Sequence, residues 1–356
     1  MKNSVRRASV PQTRPRPCGN DRPHPKKPSS VQHPRRRFLR LAAGVAALQA
    51  ASSIAMAQSY PSRPITMIVP FPAGGGTDAV GRIVAERMRG LIGQPIIIEN
   101  IGGADGSIGV GRAARARPDG YTIVLGPMET HVLNGAFYSL SYDVVNDFAP
   151  VAPLITQSII LFSRKGMPAR DVNELIAWLK ANPNKAAAAT QAVGFRLLMT
   201  FFQKETGTQI TLVPYRGSGT AIPDLMSGQI DLFLDGPLPL QLTRSGSIKA
   251  YAVTSNVRLP LAPDIPTFGE MGFPTLSYSD WFGLFAPKGT PRDIISKLNA
   301  VVVAALADPT VRSRLVDLGF EVPPPEQQTP EALAALVKTN AEKWWPIIKE
   351  LGIKAE

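Results

Sequence analysis

The apolar residues of this chain switch repeatedly between two periods. Ile65 to Val69 is a continuous apolar run of strand length and reads as a buried strand. Beyond it, Val80, Ile83, Val84, Met88 and Leu91 keep helical spacing and predict a helix over Asp78 to Ile92. The intervening stretch, Val69-Pro70-Phe71-Pro72-Ala73-Gly74-Gly75-Gly76-Thr77-Asp78, is a turn with three glycines, and Thr77 or Asp78 is placed to cap the helix. Glycine lets the backbone approach a ligand, and the free N–H groups of a helix start favour an anion. The succession recurs with a strand from Ile96 to Glu99, a second glycine-rich loop from Gly102 to Gly109, and a helix over Ile108 to Arg117. A Pro118-Asp119-Gly120 turn and a strand over Tyr121 to Leu125 follow, leading into Gly126 to His131. Three strand ends therefore open into loops rich in glycine and polar residues, where open α/β sheets place their ligands.

The alternation continues with strands over Ser158–Phe162, Ile210–Tyr215, Ile230–Asp235, Lys249–Thr254 and Phe282–Ala286. Helices are predicted over Val172–Ala181, Phe195–Glu205, up to Met226, and over Arg292–Leu306, Pro309–Leu318 and Pro330–Leu351. Strands joined by helices predict an α/β fold class with mostly parallel sheets. Late helices after a late strand imply that the chain returns to its first domain. The expected organisation is a clamshell of two lobes: domain 1 from residues 58–156 and 282–356, domain 2 from 157–281.

Charge and the amino terminus change this picture in one respect. The formal net charge is +12, which alone would suggest a nucleic-acid partner. Before residue 41, however, twelve Lys/Arg stand against one acid, a local balance of +11 that leaves +1 for the remainder. The basic segment runs into the apolar stretch Leu41 to Leu48, which is too short to span a bilayer, and then into Ala55-Met56-Ala57, a small-x-small cleavage site. Residues 1–57 thus read as an export leader, and Arg35-Arg36-Arg37-Phe38-Leu39-Arg40 is similar to the twin-arginine signal. The one cysteine, Cys18, precedes the apolar stretch, so the expected mature chain has none, which suits a disulfide-free protein of the bacterial periplasm.

Candidate chemistry is sparse. One histidine, His131, follows the leader; no Gly-x-Ser-x-Gly elbow, Walker lysine or metal-ligand spacing occurs. No cofactor and no metal are expected. Two glycine loops after adjacent strands favour an anion site, with Asp78 capping N–H groups or holding a water rather than touching the anion. Arg196 and Arg216 are candidates for a second carboxylate, with solvated surface charge as the alternative. Phe71 and Trp281 are candidates for the pocket wall, with core packing as the alternative.

These residues resemble the Bug-type periplasmic solute-binding proteins of tripartite tricarboxylate transporters. The resemblance is carried by Tyr60–Ile65, Val69–Asp78, Gly103–Gly109, Pro118–Thr122, Thr130-His131, Val213–Gly217, Asp224–Asp231 and Gly283–Pro291, and extends over Tyr60 to Glu356. It implies a two-lobed Venus-flytrap fold and a site in which both glycine loops hold one ligand carboxylate. Carried over, the first loop offers Phe71, Ala73, Gly74, Gly75, Thr77 and Asp78; the second offers Ala104, Asp105, Gly106 and Ser107. The Thr130-His131 turn lines the cleft, and Thr190, Arg196, Tyr215, Arg216 and Asp235 form the opposing wall. Asp105 stands where the family's loop carries glycine, and Arg196 where a histidine is expected, which implies an unusual ligand whose distal acid meets Arg196. The implied function is capture of a small carboxylate by a monomer in the periplasm and its delivery to membrane transporter subunits. A ligand-presenting accessory to a periplasmic sensor would use the same clamshell. A secreted α/β enzyme is the third reading, disfavoured by the missing nucleophile–base set.

Overall fold

The computed structural model describes residues 60–351. The expected leader, with Cys18 and the arginine run, lies outside the described residues. The described chain begins with β1 (Ile65–Val69), α1 (Gly76–Ile92), β2 (Ile96–Asn100), α2 (Ser107–Ala114) and β3 (Thr122–Pro127). A π-helical turn (Glu129–Leu133) and the short α3 (Asn134–Phe137) lead to β4 (Phe148–Ser158). The middle of the chain forms β5 (Ile160–Arg164), α4 (Val172–Ala181), β6 (Ala187–Thr190), α5 (Val193–Thr206), β7 (Thr211–Pro214), α6 (Ser218–Ser227), β8 (Leu232–Asp235), α7 (Leu240–Arg244) and β9 (Ile248–Val253). The chain closes with β10 (Ser279–Pro287), α8 (Arg292–Ala307), α9 (Pro309–Asp317) and α10 (Pro330–Leu351).

The strands form two five-stranded sheets, ordered β2-β1-β3-β10-β4 and β7-β6-β8-β5-β9. Each belongs to one lobe and is flanked by helices. In both, three strands run parallel and the remaining two pairings are antiparallel, so the sheets are mixed rather than mostly parallel. The antiparallel members are the strands that carry the chain between lobes. β4 ends at Ser158 in the first sheet and β5 begins at Ile160 in the second, so a single residue, Ile159, separates them. β10 brings the chain back and lies between β3 and β4, paired from Ser279 opposite Ser158 to Pro287 opposite Phe148.

Two strands fall outside the sequence pattern. β4 contains Pro150 and Pro153, which ordinarily argue against a strand; it lies at the edge of its sheet, where a missing N–H costs little. β6 is an Ala-Ala-Ala-Thr run, helical by propensity, yet it sits inside the second sheet with Ala188 and Ala189 fully buried. Tertiary pairing overrides propensity there.

The alternation along β1 explains how the first lobe packs. Met67 and Val69 face α1 and α8, joining a core with Val80, Val84, Met88, Leu298 and Val302. Ile68 points to the other face, into a core with Val110, Val132 and Leu333 that continues to Leu175 and Leu198 of the second lobe. The long α10 closes this face: the Trp344 ring lies 5.5 Å from Tyr278, and Trp345 Nε1 donates to the Val132 carbonyl at 2.9 Å.

His131 belongs to this interior. It is fully buried, its ring stacks on Phe285 at 4.1 Å, and burial depresses its pKa to about 3, so it is neutral. Gly126 leaves the space that the imidazole fills, since a Cβ there would collide with the ring. Gly126→Ala should therefore lower stability by about 1–3 kcal/mol, the usual cost of overpacking. Urea unfolding of the purified variant measures this; a wild-type midpoint would show that the ring moves aside at no cost.

Candidate ligand-binding cleft

Side chains from both lobes meet around a cavity of about 40 Å³, room for a few waters at most. From the first lobe come Phe71, Pro72, Gly75, Gly76 and Thr77 of the β1–α1 turn, Pro127 and Glu129 beyond β3, Gln157 of β4, and Asp280 and Phe282 of β10. From the second come Gln191, Ala192 and Phe195 beyond β6, Gly217 and Ser218 beyond β7, and Asp235 and Gly236 at the end of β8. The cavity thus lies at the carboxyl ends of the parallel strands of both sheets. The lobes touch across it. A Cβ on Gly219 would come within 2.6 Å of the Ala73 carbonyl, and one on Gly217 within 3.1 Å of Pro72. This is a closed clamshell.

Three helices begin at the cavity: α1 behind Gly75, α5 behind Ala192 and α6 behind Gly217. None of the three has a side-chain cap. α4 and α9 are capped by Asp171 and Asp308, while α2, α3, α7 and α8 also lack a side-chain cap, so what sets the three apart is their convergence on one cavity. First-turn amides without a cap need another acceptor, and their aligned dipoles favour a negative one. Three converging helix starts favour negative charge at the cavity through backbone alone.

The opposite impression comes from the side chains. Glu129, Asp235 and Asp280 all line the cavity and all are buried. Burial, then the neighbouring Asp280 charge, pushes Glu129 well above the usual carboxylate range. Burial also raises Asp280, against the hydrogen bond that Gln157 Nε2 donates at 2.7 Å. Asp235 is pushed up to about 7 by burial, although Ser218 Oγ donates to it at 2.9 Å. Among the described residues no group of three or more His, Cys, Asp or Glu is arranged to hold a metal ion.

The sequence and the fold have close counterparts among known proteins. The family described as "Tripartite tricarboxylate transporter family receptor" matches residues 80–353. This chain belongs to that family. Protein BugT of Bordetella pertussis is 35% identical over 303 residues, 84% of this chain and 92% of BugT. The solved structure of periplasmic binding protein BugD is 37% identical with a TM-score of 0.80, covering 83% of this chain and all of that one. MatC from Rhodopseudomonas palustris, solved with bound malate, is 38% identical with a TM-score of 0.78, covering 81% of this chain and 100% of MatC. The two-lobed α/β fold expected from the sequence is the fold of these binding proteins.

Four of the expected site residues of the receptor line the cavity: Phe71, Gly75, Thr77 and Asp235. Ala73 and Gly74 belong to the same turn but not to the cavity wall; the Ala73 carbonyl meets the other lobe at Gly219. Asp78 lies in the first turn of α1, whose N-cap is Gly75 rather than Thr77 or Asp78. It accepts from the Gly74 amide at 3.1 Å, from Arg82 Nε at 2.9 Å and from Asn100 Nδ2 at 2.9 Å. These contacts outweigh burial and lower its pKa, so it is an ionised brace for the turn. Asn100 Nδ2 also donates to the Phe71 carbonyl at 3.1 Å, which fixes the aromatic wall.

The second loop is not brought to the cavity. Ala104 and Asp105 have φ of 47° and 49°, a left-handed conformation that costs a non-glycine residue roughly 1 kcal/mol. Gly106, at φ 83°, has Thr130 Cγ2 within 2.7 Å of where a Cβ would be. The loop is held inside its own lobe: Tyr138 Oη donates to Asp105 Oδ2 at 2.6 Å, and Asn134 Nδ2 donates to the Asp105 carbonyl at 2.9 Å and to Ser107 Oγ at 3.0 Å. The Asp105 carboxyl is raised by burial and held down by Tyr138 and by the charge of Arg196. Arg196 therefore answers an acid of the protein across the lobes, and it is absent from the cavity wall. Arg216 is exposed, and Tyr215 Oη donates to Asp224 at 2.6 Å. Thr130 donates to the Pro127 carbonyl at 3.1 Å and His131 is core. Trp281 is 3% exposed and also packs in the core.

Several lining residues stand one position from those expected: Gln191 beside Thr190, Glu129 beside Thr130 and Asp280 beside Trp281. A one-residue step in or beside a strand turns a side chain to the opposite face. Phe195, Phe282 and Phe320 also line the cavity; the sequence pattern placed the first two only at the start of a helix and of a strand.

Two outcomes follow for the purified receptor. Gly75 has φ −88°, open to any residue, and a Cβ there would lie 3.7 Å from Ser218 Cβ. Gly75→Val should fold normally but hold the lobes apart and weaken ligand affinity at least about tenfold, the effect of 1.4 kcal/mol. Calorimetric titration measures it, and unchanged affinity would remove the turn from the site. The second outcome concerns pH. The folded pKa of Asp235 is raised to about 7, so its stabilising share is complete below the unfolded value of 3.8 and is lost as pH rises through about 7. Asp235→Asn escapes that loss. Its stability advantage over wild type should grow between pH 5 and pH 8 by up to about 2.7 kcal/mol, the two pH units from 5 to the folded value at 1.36 kcal/mol each. Parallel urea curves at the two pH values decide it; a constant gap would mean that Asp235 is not desolvated.

Proposed function

We propose that this receptor captures a small carboxylate-containing solute in the periplasm and delivers it to the membrane subunits of a tripartite transporter. The observation that carries the reading is the convergence of three uncapped helix starts, α1, α5 and α6, on one interlobe cavity. A carboxylate there would accept the first-turn amides of Gly76 and Thr77 with the dipole of α1 behind them. Phe71, Phe195 and Phe282 would enclose the carbon skeleton. MatC, a relative of similar fold, is solved with malate, a carboxylate of the size such a cleft would take.

Delivery needs a cleft that opens. The closed cavity is smaller than any such solute, so entry would separate the lobes about Ile159 and the segment between β9 and β10, the two places where the chain passes between sheets. On this reading domain 1 comprises residues 58–156 and 282–356 and domain 2 residues 157–281. The protein acts as a monomer and reaches the periplasm by means of its basic, twin-arginine-like leader. Binding rather than catalysis is favoured because His131, the one histidine beyond the leader, is neutral and locked against Phe285.

A thermal-shift screen of the chain from residue 58 onward tests the reading against mono-, di- and tricarboxylates, amino acids and neutral sugars. A ligand at 100 times its dissociation constant should add about 2.7 kcal/mol of stability. If sugars raise the melting point and no carboxylate does, the proposal is wrong.

A further inference from the structure

The side chains that line the cleft are rich in hydrogen-bond acceptors and poor in donors. Gln191 is 2% exposed and lines the cavity. Its Nε2 is taken by the Leu234 carbonyl at 2.7 Å, which leaves Oε1 buried without a hydrogen-bond partner. Glu129, 2% exposed, has the Tyr278 hydroxyl and Asp280 beside it, so the acceptor that lacks a donor is that of Gln191. Asp235 and Asp280 line the same cavity, close enough for the charge of Asp280 to raise Asp235. A buried acceptor without a donor is costly, and native structures rarely leave one unless something else supplies the donor.

A solute bearing carboxylates at both ends would not supply it. One carboxylate would find the helix starts; the other would face Asp235 and Asp280, and like charges in a buried site repel strongly. The two expected arginines do not change this balance, since Arg216 is exposed and Arg196 is not part of the cavity wall, its charge acting on Asp105. A protonated nitrogen has the opposite effect. It would donate to Gln191 Oε1 and neutralise the acidic wall, while the carboxylate at its other end kept the helix starts.

Building on the carboxylate reading of the same cleft, we propose that the solute is an amino carboxylate, whose protonated nitrogen is received by Asp235 and Gln191. The acidic wall then acts as a filter against plain dicarboxylates, and the amide starts act as a filter against plain amines. Specificity is set by the polarity of the two ends of the cleft, one built from backbone and one from side chains.

Calorimetric titration of the full mature receptor tests this with pairs matched in length: succinate with 3-aminopropanoate, glutarate with 4-aminobutanoate, and adipate with 5-aminopentanoate, beside the standard amino acids. The tightest binder should carry a protonated nitrogen and should exceed its dicarboxylate partner at least about tenfold. Asp235→Asn should cost that binder roughly tenfold to a hundredfold, the range for a hydrogen bond to a charged group, and should cost glutarate or adipate less. Gln191→Met should act in the same direction, which guards against a folding defect peculiar to one variant. A dicarboxylate that binds as tightly as any amino compound, or an amino ligand unaffected by both substitutions, overturns the amino-carboxylate proposal alone. Binding of none of the carboxylates overturns the carboxylate reading and this proposal with it.

Discussion

Backbone amides at a helix start must find an acceptor, and in this receptor three helices bring theirs to one place without supplying a side-chain cap. Everything around the cleft follows from that convergence. It requires strands that end at the same level in two sheets, so that α1 follows β1, α5 follows β6 and α6 follows β7 toward a common point. It requires close approach of the lobes, which the glycines at 217 and 219 permit against Pro72 and Ala73. It also explains why Asp78, an acid beside an anion site, is harmless: Arg82, Asn100 and the Gly74 amide already occupy its carboxylate.

The acidic side chains of the cleft are compatible with that convergence because they titrate differently from surface acids. Burial raises Glu129 well above the usual carboxylate range and moves Asp235 up to about 7, so the wall carries less charge at neutral pH than its composition suggests. The same burial makes the wall responsive to what is bound, since a cation beside Asp235 would stabilise its ionised form. A site made of dipoles at one end and tunable carboxyls at the other can favour a zwitterion without any ion pair of its own.

The second glycine loop shows how a local substitution is absorbed. With Asp105 in place of a flexible residue, the backbone still takes the left-handed turn, at a cost, and Tyr138, Asn134 and the charge of Arg196 hold it there. Two departures expected from the resemblance, Asp105 and Arg196, thereby answer one another across the lobes. Both were visible in the sequence as isolated oddities; their pairing was not.

Periodicity alone located most helices and strands, because amphipathic α1, α4, α8 and α10 carry their burial pattern in local spacing. It also located the first glycine turn, because glycine clusters between a strand and a helix have few other uses. The sequence could not show β4 or β6, where an edge position tolerates proline and a central position overrides alanine's helical preference. Nor could it show which member of each neighbouring pair faces the cleft: Gln191 rather than Thr190, Glu129 rather than Thr130, Asp280 rather than Trp281. Side-chain direction at a strand end is fixed by pairing register, and register is set by partners far away in the chain. Local pattern determined the elements and the anion-favouring turn. Tertiary structure alone decided that three helix starts and three buried acids share one cavity.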